Sequence, residues 1–94
     1  MENQAKLIKG YRDLTEQEID LMNRIKEQGE KLGELVAELQ ASHKAEAEAL
    51  QVTPDFSDVM QGHIDARRWT SIGQTHLQQG LMALVRAVGR PTNF

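Results

Sequence analysis

Two clusters in this sequence bring cations together with an aromatic ring or with hydroxyls. The first is KGYR, residues 9–12, where Tyr11, the chain's only tyrosine, stands between Lys9 and Arg12, with Arg24 and Lys26 following. An aromatic face stacks on a nucleobase, while a neighbouring ammonium or guanidinium holds a phosphate. Lys26 lies about eleven residues beyond the helix start expected at Thr15, roughly 16 Å along the axis. It would therefore reach Tyr11 more readily from a second, antiparallel copy of the chain. The alternative is that Tyr11 folds down on its own helices and Lys26 is a solvated seam residue. Composition by itself favours that alternative.

The second cluster is DARRWTSIGQT, residues 65–75. Arg67, Arg68, Thr70 and Ser71 offer fork-shaped cationic donors and hydroxyls within about one helical turn, beside the small residues Ala66 and Gly73. Phosphates need such donors and close backbone approach. Against this stands a packing account: Trp69 in the core, the arginines paired with acids of another helix, and Gly73 admitting a neighbour. Taken alone, residue types again favour packing.

No catalytic set accompanies these clusters. Ser42, Ser57 and Ser71 sit in no nucleophile-elbow context. His43, His63 and His76 show no HExxH spacing, and the separation of His63 from His76 does not suit two ligands on one helix face. Glu27, Glu30, Glu34 and Glu38 read as a solvated helix face paired with Lys31 and similar neighbours. No Walker loop or GxGxxG is present, and cysteine is absent. We therefore expect no enzyme activity, no metal and no cofactor.

The elements that must carry the clusters are helices, since nothing alternates with period two. Residues 2–9 suit a short helix closed by Gly10. In LTEQEI, Thr15 is the expected N-cap, Glu18 completes a capping box, and Leu14 with Ile19 can form a hydrophobic staple. Glu16, Glu18 and Asp20 complement the helix dipole. Met22, Ile25, Gly29, Leu32, Val36 and Leu39 then form a coiled-coil-like seam that weakens at His43 and Glu46, in the Ala/Glu-rich stretch ASHKAEAEAL. Thr53 and Pro54 mark a break and a new helix start. The second long helix is expected from Asp58 to Val88, stopping at Gly89 ahead of Pro91. It carries Leu77, Leu81, Leu84 and Val88 as a core face, and Ala66, Gly73, Gly80 and Ala87 at seven-residue intervals. Two interior glycines each cost about 1 kcal/mol relative to alanine, so a close helix or ligand is expected there. The fold class is all-α: one domain over residues 1–94, a short N-terminal helix plus a long antiparallel hairpin that packs against other copies.

Bulk properties agree. Ninety-four residues with 39% hydrophobic and 4% aromatic content offer little core to a lone chain. The net charge of −3 conceals 7 Lys/Arg against 13 Asp/Glu in residues 1–59, and 4 Arg against Asp65 in residues 60–94. An acidic chain is a poor DNA binder, yet a local basic cluster can capture a small anion. The longest uncharged run, Trp69 to Val85, is interrupted by polar residues, so no membrane partner is expected. MENQAKLIKG lacks an apolar signal core, and the absence of cysteine suits a reducing cytoplasm.

The segments IKGYRDLTEQEIDLMNRIKEQGEKLGELV and DARRWTSIGQTHLQQGLMALVRAVGRPTNF, about two thirds of the chain, resemble the phage anti-CBASS cyclic-oligonucleotide sponge family, the second such family. The resemblance implies a compact all-helical homohexamer in the cytoplasm of the infected bacterium. It would sequester cyclic dinucleotides such as cyclic GMP–AMP, and cyclic trinucleotides, without cleaving them. Matched by position, Tyr11 would stack on a base of the dinucleotide and Lys26 would contact its phosphate from another subunit, with Gly10 and Arg12 as adjoining wall. Arg67, Thr70 and Ser71 would line a trinucleotide pocket where subunits meet around a threefold axis. Gln28 departs from the family's pattern, which has a small hydroxyl residue there. Two rival expectations are a structural helical oligomer that binds a protein through its acidic first helix, and an enzyme that degrades the messenger.

Overall fold

Thr15 opens the first helix with the reciprocal bonds that its sequence calls for. The Thr15 N–H donates to Glu18 Oε1 at 2.9 Å, and the Glu18 N–H donates to Thr15 Oγ1 at 3.1 Å. Ile19 N–H then donates to the Thr15 carbonyl at 2.9 Å, the first helical bond. An N-cap of this kind contributes about 1 kcal/mol. The computed structural model describes residues 12–50 and 57–92. The expected helix over 2–9, Gly10, Tyr11 and the Thr53–Pro54 break lie outside them. Helix α1 runs Glu16–Leu50 and helix α2 runs Ser57–Gly89; no strand occurs among the described residues. None of these helices is long and apolar enough to cross a membrane.

The Ala/Glu-rich stretch continues α1 without interruption, as its high helix propensity favours. Met22, Ile25, Gly29, Leu32 and Val36 are half-buried, as the seam requires. The seam does not fade at His43, however: His43 and Ala47 are half-buried and Leu50 is buried, whereas Leu39 is 44% exposed. Polar partners on α2, described below, let a histidine take a seam position.

The chain forms two compact units, residues 1–30 with 78–94, and residues 31–77. In the first, Leu81, Val85, Val88 and Gly89 are the half-buried residues of α2. Leu84, expected on that face, is 54% exposed, and Val85 takes its place. Every position of LMALVRAV but Arg86 is apolar, so periodicity in that run leaves the face undecided. An added Cβ on Gly29 would lie 3.1 Å from Leu81 Cδ1, and one on Gly89 would lie 3.4 Å from Met22 Cε. At Gly29 glycine admits the leucine, while the distance at Gly89 is ordinary van der Waals contact. Around Gly73 and Gly80 the opposite holds: no atom lies within 4 Å of an added Cβ. Within one chain, the small-residue stripe therefore meets nothing that demands glycine.

The second unit has a polar interior. His63, only 4% exposed, places Nδ1 2.5 Å from Glu46 Oε1. Its ring meets that of His43 edge-on, with centroids 6.3 Å apart. His43 Nε2 lies 2.8 Å from Thr70 Oγ1, which itself donates to the Ala66 carbonyl at 3.0 Å. These pairings satisfy groups that would otherwise be costly to bury. Leu77, expected in the core face, is 37% exposed here.

Helix α2 ends at Gly89, but the left-handed residue that closes it is Arg90, with φ 47°. Arg90 N–H donates to the Arg86 carbonyl at 2.8 Å, and Pro91 follows. Gly89, the expected stop, is the last helical residue, one position before the left-handed one.

Candidate functional site

A concavity in each unit receives different members of the expected ligand sets. In the first unit, Arg12 and Lys26 line a cleft of about 990 Å³ whose walls are mainly apolar, among them Met22, Ile25, Leu81 and Met82. Met82 is 70% exposed at its edge. Lys26 is exposed and has no ion-pair partner among the described residues.

Arg12 is differently placed. Its guanidinium forms a two-pronged ion pair with Glu18, Nη1 standing 3.1 Å from Oε1, and donates from Nη2 to the Val88 carbonyl at 3.0 Å. The hydrogen bonds from Arg12, then those of Thr15, pull the Glu18 carboxyl down to about 2 from the usual 4.5. The same carboxylate raises the arginine further above its already high value. The Arg12 head is thus committed to the fold, and what it offers the cleft is wall. Tyr11 and Gly10, the other members of this set, lie outside the described residues. Gln28 is exposed and does not line the cleft. Arg24 has its own exposed partner, Asp20, at 3.9 Å.

In the second unit, Arg67, Thr70 and Ser71 all line one cavity of about 300 Å³. Spacings of three and four put them on one face of α2. Trp69 falls on another face, 60% exposed, with the Arg68 guanidinium stacked 4.8 Å over its ring. The packing account of this stretch, with Trp69 in the core, therefore does not hold. Neither Arg67 nor Arg68 pairs with an acid among the described residues.

The opposite wall comes from α1: Gln40, His43, Lys44 and Ala47. These residues were not expected at a site, because the stretch ASHKAEAEAL, which holds all of them but Gln40, reads as solvated. The signal available in the sequence was their helical spacing, which continues the seam through 40, 43, 44 and 47. Chemically, the cavity offers a guanidinium, an ammonium and the Ser71 hydroxyl, a set suited to an oxyanion. No three His, Cys, Asp or Glu side chains gather into a metal-binding group among the described residues.

The family model for the Acb2/Tad1 hairpin domain matches residues 3–89. This chain belongs to the Acb2/Tad1 hairpin family. Its sequence is also 37% identical over 105 residues to Anti-CBASS protein 2 of Pseudomonas phage JBD67, with 97% of each chain covered. In this Acb2/Tad1 hairpin chain, the matched region takes in all of α1 and α2, and with them the second unit's cavity and every lining residue of the first unit's cleft but Pro91. The resemblance carried by the two quoted segments thus extends across the Ala/Glu-rich middle as well.

Proposed function

We propose that this protein is an anti-CBASS sponge that binds cyclic di- and trinucleotides and withholds them from anti-phage signalling, without cleaving them. The observation that carries the reading is that Arg67, Thr70 and Ser71 line one cavity, with cations on both of its walls. Family membership and the likeness to Anti-CBASS protein 2 support it. In this reading the single domain assembles as a homo-oligomer, a hexamer, in the host cytoplasm. One chain's cavity of about 300 Å³ takes part of a cyclic trinucleotide, and copies meeting around a threefold axis complete the pocket. The dinucleotide site uses Tyr11 as stacking ring and Lys26 as phosphate contact, with Gly10 and Arg12 as wall. The apolar cleft beside Lys26 suits that task, since a dry pocket strengthens a phosphate contact. Sequestration needs tight binding and abundant protein rather than turnover.

Isothermal titration of the full chain with cyclic GMP–AMP and with a cyclic trinucleotide tests the proposal. Micromolar or tighter binding of each is expected. Tyr11→Ala should remove the dinucleotide and spare the trinucleotide, and Arg67→Ala should do the reverse. No heat with any cyclic oligonucleotide overturns the sponge reading. Loss of both ligands from either variant in an intact assembly overturns the two-pocket arrangement. Recovery of unaltered ligand after denaturing the complex is expected; recovery of linear product would make the protein an enzyme.

A further inference from the structure

We propose that Lys44 is the second cation of the cavity in residues 31–77, and that it and Arg67 together hold one phosphodiester of the bound ligand. This rests on the trinucleotide reading of that cavity and extends it to α1. The Thr70 hydroxyl has one proton, and that proton goes to the Ala66 carbonyl. In the tautomer protonated on Nε2, His43 donates to the same oxygen at 2.8 Å. With its proton committed, Thr70 has none to give a phosphate. Its bond to His43 joins the two walls instead, backed by the buried His63–Glu46 pair.

The cationic and hydroxyl donors left for an anion are Arg67 and Ser71 on α2 and Lys44 on α1. All three are exposed, and no hydrogen bond or ion pair occupies their side chains among the described residues. Six acidic side chains lie on the α1 stretch from Glu27 to Glu48, and none of them neutralises Lys44 by an ion pair among the described residues. Two unpaired cations on opposite walls of one cavity repel each other until an anion enters between them.

The test is titration of the full chain with cyclic tri-AMP at 50 and 200 mM salt, for the wild type, Lys44→Gln, Lys44→Arg and Arg67→Ala. Lys44→Gln, which has no ammonium to give a charge-assisted hydrogen bond, should bind about tenfold more weakly than the wild type, or worse. The slope of log affinity against log salt should flatten, since each of the three chains around the ligand loses one phosphate contact. Lys44→Arg should stay close to wild type, and cyclic GMP–AMP should bind Lys44→Gln normally. Lys44→Gln binding with wild-type affinity and salt slope, while Arg67→Ala fails, overturns the role of Lys44 and leaves the trinucleotide reading standing. A Lys44→Gln variant that binds neither ligand, or changes its assembly mass, overturns the role as well. A wild type that binds no cyclic trinucleotide removes both the reading and the inference.

Discussion

Replacing Gly29 and Gly33 by alanine, one at a time, isolates the packing of α1 against Leu81. Both glycines lie within the same helix, so each substitution should gain about 1 kcal/mol from helix propensity. An added Cβ at Gly33 meets no atom within 4 Å, and nothing opposes that gain. At Gly29 the new methyl stands 3.1 Å from Leu81 Cδ1 and 3.7 Å from Cδ2, so Leu81 must yield by a few tenths of an ångström. Overpacking costs about 1–3 kcal/mol, and the low end applies because Leu81 borders the open cleft of about 990 Å³ into which it can turn. Gly33→Ala should therefore raise stability by about 1 kcal/mol, about 4–8 °C in melting temperature for a chain of this size. Gly29→Ala should leave stability nearly unchanged. Thermal and urea denaturation at one fixed protein concentration measures both. Adding Leu81→Ala to each background should reveal a coupling of about 1 kcal/mol with Gly29→Ala and none with Gly33→Ala. Equal stabilisation by the two alanines, with no coupling to Leu81, would refute the packing described for this unit.

The Glu18 carboxyl, held at about 2 against the usual 4.5, gives the N-cap of α1 an acid limit. Because the folded value is the lower one, its contribution is full above about 4.5 and fades as pH falls toward 2. Melts across that window should show the wild type losing more stability than Glu18→Gln, which keeps the cap but not the charge; parallel curves would dismiss the ion pair with Arg12. At the other end, Arg90 holds a left-handed conformation that costs an ordinary side chain about 1 kcal/mol. The stability order Arg90→Gly above wild type above Arg90→Val is expected from denaturation midpoints, and a valine variant matching the glycine variant would refute the cap.

The parts of the fold legible in the sequence were those fixed by local chemistry. Thr15 and Glu18 announce a helix start because their bonds are made within one turn. The seam from Met22 to Val36 is legible for a related reason, since apolar side chains recur there at helical spacing against a polar background. What was hidden depends on residues distant in sequence. His43 reads as a weak point of the seam until Thr70 supplies its partner, and no local pattern marks Glu46 as the partner of His63. Val85 rather than Leu84 faces inward because packing decides where pattern is silent. At the site, Arg67, Thr70 and Ser71 were visible as chemistry on one helix, but the wall formed by His43 and Lys44 required the second helix to be in place.

The three-way junction at Arg12 has a consequence for how the helix ends open. One guanidinium binds the carboxylate that caps α1 and the Val88 carbonyl near the end of α2, with Arg12 and Val88 separated by 76 positions. Helix termini ordinarily fray independently, each amide exchanging with solvent on its own schedule. Here the first turn of α1 cannot release Glu18 without loosening the grip on Val88. Exchange at the two ends should therefore be governed by a common opening step: two distant termini share one lock, and both come free when Arg12 lets go.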